Sequence, residues 1–337
     1  MKPYHKLTDI GKLRRLYNYA VLGLTHYDLK APTLKFYAFA TNLLYKVSST
    51  TGEKYILRLA YPNWRTLEDL TSEALWLSAL HQDTDIPVPQ VFPTRSGELV
   101  LSISLDGIPD VWHMTLMGWL PGRLLGNYLT SSNLEKMGSL FSKLHLHGKN
   151  WNPSGNFTNK RFDDWLSRGE ENLISPYEDE SSEGAKTEDR PSLSIERRQW
   201  LKRMDEHVKS AYQAIDPSDL RVIHCDLWHD NIKLQHGTLY PFDFEDTIWG
   251  YRSHDIAMAM LDLLETVGEE NYSQLLAAFQ KGYETNNPWP EDPIEPFQVG
   301  RLLWKLNWIA RFQPDFLKKS LEDYIPVFET YVKTGKV

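Results

Sequence analysis

Between Arg221 and Ala259 the chain reads RVIHCDLWHDNIKLQHGTLYPFDFEDTIWGYRSHDIAMA, with Asp226, Asn231 and Asp243 set in order around two short apolar runs. Each of these residues alone would be an ordinary turn residue. Together they supply the groups that phosphoryl transfer from ATP requires. A carboxylate at Asp226 can orient or deprotonate an attacking hydroxyl, and phosphates need cations and a metal beside them. Magnesium is a hard cation that takes carboxylate and amide oxygens along with phosphate and water, which suits Asn231 and Asp243.

The pattern HCDLWHDN, then PFDFED, then HDIAMA, resembles the aminoglycoside phosphotransferase and choline kinase superfamily, whose members share the protein-kinase-like fold. The resemblance implies a catalytic loop of the form His-x-Asp-x-x-x-x-Asn on His224, Asp226 and Asn231. It places the metal-binding Asp-Phe motif on Asp243, with Glu245 where protein kinases carry glycine. It makes Asp255 a structural brace at a helix start, and His145 in LFSKLHLHG a residue packed behind the catalytic loop. Cys225 stands at a position that is usually glycine in the family, and a small packed thiol suits it better than a nucleophile.

Further matches widen the resemblance. FATNLLYKV looks like the phosphate-loop hairpin and makes Asn42 a nucleotide contact, with no glycine-rich motif. In KYILRL, Arg58 sits where the family usually places the strand lysine that meets the ATP phosphates; arginine grips phosphate through its planar fork. Glu73 in TSEALWLSALH matches the helix glutamate that pairs with that cation. The segment MGWLPG, containing Met117 and Trp119, looks like the linker whose backbone holds adenine. Arg58 and DFEDTIWGYRSHDIAMA look most like the homoserine-kinase-like branch.

These residues need a scaffold, and the hydrophobic pattern supplies one. Leu34 to Leu59 alternates apolar and polar residues around Thr-Thr-Gly, as antiparallel strands do. Thr66–His81 has helical spacing and a proline-rich stretch after it. Strand-like runs recur at Glu98–Ile103 and Val111–Leu116. After a lobe boundary at Met117–Pro121 come helices at Asn133–His147 and Ser192–Ala214. Short strands follow at Arg221–Ile223, Ile232–Gln235 and Leu239–Phe242, then helices to the end. The fold class expected is α+β and two-lobed, with a small antiparallel β lobe (1–117, nucleotide-binding) and a larger, mainly helical lobe (118–337, catalytic and substrate-binding), with a cleft between them. The acidic, polar stretch Glu178–Arg190 reads as a mobile, solvated insertion.

Composition narrows the partners. A net charge of −8 over 337 residues disfavours nucleic acid. Cys225 is the single cysteine, so no intrachain disulfide forms and a reducing compartment fits. The basic N-terminus precedes an apolar run too short for a signal peptide, broken by Asn18. No run of about 18 apolar residues exists to span a membrane as a helix, which makes the cytoplasm the expected location. Walker, dinucleotide, zinc-protease and nucleophile-elbow motifs are missing. The histidines His224, His229 and His236 do not read as a zinc site. Trp304, Trp308 and Arg311 share one helix and are taken as core, with a ligand-pocket wall as the other option. The function expected is an ATP- and Mg2+-dependent kinase of a small-molecule hydroxyl, in an amino alcohol, hydroxy amino acid, amino sugar or aminoglycoside. A protein Ser/Thr kinase and an inactive nucleotide-binding pseudokinase are the alternatives.

Overall fold

The computed structural model describes residues 2–153, 155–166, 170–174 and 193–337; the Glu178–Arg190 stretch lies outside the described residues. In chain order, its elements are α1 (Asp9–Leu24), β1 (Thr33–Phe39), β2 (Asn42–Ser48), β3 (Lys54–Ala60), α2 (Leu67–Asp83), β4 (Val91–Phe92), β5 (Met114–Gly118), β6 (Arg123–Leu124) and α3 (Ser131–Asn150). There follow α4 (Ile195–Ala214), β7 (Arg221–Ile223), β8 (Ile232–Gln235), β9 (Thr238–Pro241), β10 (Ile248–Gly250), α5 (Arg252–Tyr283), α6 (Glu295–Phe312) and α7 (Leu317–Thr334). The fold is α+β and protein-kinase-like. The chain divides into two compact units. One holds Met1–Tyr128, Trp151–Thr158 and Asp230–Thr247, and the other Leu129–Asn150, Asn159–His229 and Ile248–Val337.

The first unit is built on an antiparallel sheet in the order β1-β2-β3-β5-β4. The alternation read from the sequence sorts its two faces. Leu43, Tyr45, Val47, Leu57 and Leu59 are buried against Leu16, Tyr19, Ala20 and Leu24 of α1, each large side chain contributing about 1.5–3 kcal/mol. The opposite face carries Arg58, paired in register with Leu44 on one side and Thr115 on the other. Helix α1, which the sequence reading did not assign, starts at Thr8, whose hydroxyl accepts from the Gly11 N–H at 3.2 Å. Helix α2 opens on a capping box: Asp69 N–H donates to Thr66 Oγ1 and Thr66 N–H donates to Asp69 Oδ2. That reciprocal lock fixes the helix bearing Glu73.

One expected strand does not form. Glu98–Ile103 makes a single bridge, Leu101 with Met114, because β4 already pairs with Leu116 and Met117 on the same edge of β5. The hydrophobic residues of the run serve the core instead, with Leu101 buried. A second, three-stranded sheet runs β6-β8-β9. The β8–β9 turn places His236 and Gly237 at φ of 49° and 81°, the paired left-handed conformation of a tight hairpin.

The second unit is helical around the short β7–β10 pair. Helices α3 and α5 pack backbone to backbone: a Cβ on Gly138 would lie 1.9 Å from the Phe279 carbonyl oxygen, and one on Gly282 would lie 1.8 Å from that of Glu135. Helix α5 bends at Gly268, the one residue in it with non-helical backbone angles.

At the start of α5, Asp255 sits in a polar network inside this unit. Its Oδ2 lies 2.9 Å from His145 Nε2, and His145 Nδ1 lies 2.8 Å from the Tyr283 hydroxyl. Its Oδ1 accepts the Cys225 N–H at 2.7 Å. Burial pushes the His145 imidazole below its ordinary range, over the opposing pull of Asp255. Burial also works against an ionised Asp255, but the His145 hydrogen bond, with His224 and His254 nearby, holds its carboxyl low. The pair is thus a neutral imidazole, Nε2–H donating to a carboxylate and Nδ1 accepting from tyrosine.

Two outcomes follow for stability. Gly282→Ala forces a methyl into a carbonyl that belongs to a helix backbone, so it should cost at least about 1–3 kcal/mol, read as a lower urea midpoint. His145 is protonated in the unfolded chain below about pH 6.5 but resists protonation when folded. Stability therefore rises with pH across that interval and is lost as pH falls from 6.5 towards the lower folded value. His145→Gln keeps a donor for Asp255 without a titrating group, so its urea midpoint should fall less than that of the wild type between pH 7 and 5; equal slopes would remove His145 from the acid response.

Candidate active site

In the first unit the sequence-predicted cation and its partner come together. Arg58 Nη1 donates to Glu73 Oε1 at 2.9 Å, and Nη2 donates to Oε2, a fork-to-fork pair. Both groups are buried, Arg58 at 3% exposure and Glu73 at 1%. Burial alone would lower the pKa of the guanidinium, but Glu73, Glu245 and Asp243 outweigh it and raise it. Arg58 is therefore a fixed cation. Burial, with Glu245 and Asp246, pushes the Glu73 carboxyl up against the pull of Arg58.

Glu245 is the residue the sequence left without a role, and it links three elements. Its carboxylate lies 4.0 Å from Arg58 Nη1, accepts the Trp64 indole N–H at 3.0 Å and accepts from Asn42 Nδ2. Asn42, at the start of β2, is buried, and its Oδ1 has no hydrogen-bond partner among the described residues. The hairpin between β1 and β2 is thereby tied to the Asp-Phe-Glu segment through an acid that replaces the glycine of protein kinases. A second tie runs from Arg65 to Asp246. The sequence signal for Glu245 was the departure itself, a carboxylate at a glycine position two residues after a metal-type aspartate.

Asn231 and Asp243 flank one end of the β8–β9 hairpin, where the Phe242 N–H donates to the Asn231 carbonyl at 3.0 Å. Asp243 takes the left-handed conformation, φ 64° and ψ 56°, which turns the chain sharply after β9 and leaves the residue exposed. An amide and a carboxylate oxygen are the donors a magnesium ion accepts while keeping water and phosphate ligands. Among the described residues there is no cluster of three or more His, Cys, Asp or Glu able to cage a metal. The donor set thus fits a cation shared with phosphate better than a structural metal.

Met117 lies on β5 opposite Ile56 and Val91. Trp119 follows, its N–H donating to Lys54 O at 3.1 Å. Its ring lies 4.6 Å from the Lys46 ammonium and 4.9 Å from that of Lys233, with Tyr37 edge-on at 5.3 Å. Burial pushes the Lys233 pKa below its ordinary value, and its ammonium donates to Leu120 O at 3.1 Å.

Asp226 belongs to the second unit, on the loop after β7. Cys225 before it has φ of 68°, a conformation that suits glycine and costs another residue roughly 1–2 kcal/mol. The conformation fits the glycine that the family resemblance implies at this position. The Asp255 carboxylate on the Cys225 N–H offsets the cost, and Sγ rests 3.5 Å from His254 Nε2. The thiol is buried, in keeping with a packed group. Asp226 N–H donates to His224 Nδ1 at 3.4 Å.

The Asp226 carboxylate is met by Arg301 of α6, Nη2 to Oδ1 at 2.9 Å. The sequence reading selected Trp304, Trp308 and Arg311 on this helix and passed over Arg301. Arg311 instead lies over Phe312, while the Arg301 guanidinium stacks 4.6 Å from the Trp304 ring. Trp304 and Trp308 are half-buried. Helical spacing linked Arg301 to Trp304 at three residues, but pairing with a loop 75 residues earlier has no sequence signature.

Residues 35–292 match the phosphotransferase enzyme family. A curated relative, the uncharacterized protein sll1119 of Synechocystis sp., is 27% identical over 134 residues, which is 40% of this chain and 36% of the relative. The chain thus spans about a third of the length of that relative. Among solved structures, the microcompartment-associated aminopropanol kinase superposes with a TM-score of 0.75 at 20% identity, covering 94% of this chain and 98% of that one. An amicoumacin kinase in complex with AMP-PNP, Ca2+ and Ami gives 0.74 at 18% identity, covering 91% and 92%. Spectinomycin phosphotransferase APH(9)-Ia with ADP and spectinomycin gives 0.58 at 12%, covering 92% and 94%. These likenesses carry the fold, and the match over residues 35–292 carries the kinship: the chain belongs to the phosphotransferase enzyme family.

Proposed function

We propose that this phosphotransferase moves the γ-phosphoryl group of ATP, with Mg2+, to a hydroxyl of a small molecule. Residues 1–117 form the nucleotide-binding part and 118–337 the catalytic and acceptor-binding part. Asp226 orients the acceptor hydroxyl and takes its proton. Arg58, steadied by Glu73, neutralises phosphate charge, and Asn42 adds a contact at the β1–β2 turn. The strand end at Met117 and Trp119 receives the base. Asn231 and Asp243 hold Mg2+, which when bound shields the negative charge of the phosphates. The acceptor is an amino alcohol, hydroxy amino acid, amino sugar or aminoglycoside. Structural neighbours named for aminopropanol, amicoumacin and spectinomycin support a small acceptor.

The observation that carries this reading is the Arg58–Glu73 fork. A buried ion costs several kcal/mol unless paired, and a sheet cation kept charged by one bidentate partner, with Glu245 4.0 Å away, is an arrangement suited to polyanionic phosphate. The acidic chain as a whole would otherwise repel it, since the net charge is −8.

The test is magnesium-dependent ATP consumption against a panel of these acceptors. Asp226→Ala should lower turnover by about 10²–10⁴-fold, the range for removing a positioned acid–base group. Chelation should abolish turnover and added Mg2+ restore it. Wild-type turnover in Asp226→Ala would end the assignment of the base; phosphate found on protein hydroxyls and on no small molecule would end that of the acceptor.

A further inference from the structure

Arg301 is a cation placed on the group that receives the acceptor in the function proposed above, and the following rests on that reading. It sits on α6 with Nη2 2.9 Å from Asp226 Oδ1. Its guanidinium lies over the Trp304 ring, 4.6 Å from the centroid. The pair is neither sealed nor loose: the Arg301 side chain is 17% exposed and that of Asp226 25%, so a small molecule can reach both. Four residues on, at the same face of α6, Lys305 is neutralised by Asp262 at 3.1 Å and Glu265 at 2.6 Å on α5. Lys305 is thus paired with carboxylates of α5, whereas the charge of Arg301 is set beside the Asp226 carboxylate.

A hydroxyl that approaches Asp226 brings its neighbouring substituent within reach of that guanidinium. An ammonium there meets a like charge. A carboxylate meets a planar donor fork matched to its two oxygens. Asp262 and Glu265, one helical turn further along, offer acidic groups for an amine held farther from the hydroxyl. We propose that Arg301 is an acceptor-recognition residue that directs the site to hydroxyl compounds bearing a carboxylate close to the hydroxyl: hydroxy acids, hydroxy amino acids among them. The carboxylate takes over a share of the guanidinium from Asp226, and this frees the Asp226 oxygen to receive the hydroxyl proton. Sites built to bind a polar group discriminate strongly against analogues lacking it, so selectivity is where Arg301 acts.

The experiment compares kcat/KM for acceptors that differ only by the carboxylate: L-threonine with 1-amino-2-propanol, L-homoserine with 3-aminopropan-1-ol, and D-glycerate with ethylene glycol. In the wild type at least one carboxylate-bearing member should exceed its partner by about 10²-fold or more, within the range such polar recognition reaches. In Arg301→Met that ratio should fall at least tenfold, mainly through KM, and Arg301→Lys should restore part of it by returning the charge without the fork. The ratio is internal to each variant, so a general loss of folded protein does not alter it. Preference for the amino alcohol or diol, no turnover of any carboxylate-bearing member, or a ratio that survives Arg301→Met would overturn the inference. If Asp226→Ala abolishes transfer to whichever acceptor is used, the phosphotransfer reading stands even then; if it does not, both fall together.

Discussion

The carboxylate of Asp255 is the constraint on which the second unit is organised. It is 1% exposed, and a buried carboxylate is tolerable only when its oxygens are satisfied. Asp255 itself heads α5, and it is satisfied from two other places: His145 on α3 and the Cys225 N–H on the loop after β7. Tyr283, near the other end of α5, completes the set by donating to His145. Removing one member would leave a buried polar group unpaired at about 1–3 kcal/mol, more for the charge. That cost is what keeps the loop backbone in a left-handed bend that cysteine would otherwise resist. Asp226, the next residue, inherits its direction from this arrangement and not from its own contacts alone.

The close passage of α3 and α5 is the steric counterpart of the same constraint. His145 reaches Asp255 and Tyr283 because Gly138 and Gly282 let two backbones approach to distances a Cβ would block. Local propensity argues against glycine in a helix interior by about 1 kcal/mol each, so the sequence accepts a local loss for a tertiary gain. In the first unit, the same trade is made with charge. Arg58 is taken from water at a cost that Glu73 and Glu245 offset, and this holds the planar fork in one orientation on the sheet.

How much of this was legible follows from the range over which each signal acts. The strands around Arg58 and the helix of Glu73 were readable because alternation and helical spacing are local, and both appear with bounds within a few residues of those expected. The order Asp226, Asn231, Asp243 was readable because a loop and a hairpin keep them close in sequence. The run Glu98–Ile103 misled because apolar alternation reports burial, and burial can be met by a loop when the sheet edge is already occupied. Helix α1 escaped although Leu16, Tyr19, Ala20 and Leu24 recur at helical spacing and are buried, because its apolar run was weighed only as a signal peptide. Glu245, Trp64 and Arg301 escaped for a different reason: each acts through partners about 75 to 200 residues away, and charge pairing at that separation leaves no period to find.

The two arginines show how burial divides the work of a cation. Arg58 is locked between buried carboxylates, where breaking a pair costs about 3–5 kcal/mol, so no ligand of ordinary affinity would exchange its partner. Such a group can present a field but cannot respond. Arg301 pairs with Asp226 at partial exposure, where solvent competes and the pair is worth nearer the roughly 0–1 kcal/mol of accessible ion pairs than the buried figure. A ligand carboxylate can enter that balance with only a small penalty, because the charge it satisfies is already partly wet. The Trp304 ring gives the guanidinium a contact that would persist while its partner changes. On the function proposed above, Arg58 would be the rigid cation for phosphate and Arg301 the exchangeable one for the acceptor, so that one substrate class is held constantly while the other is chosen.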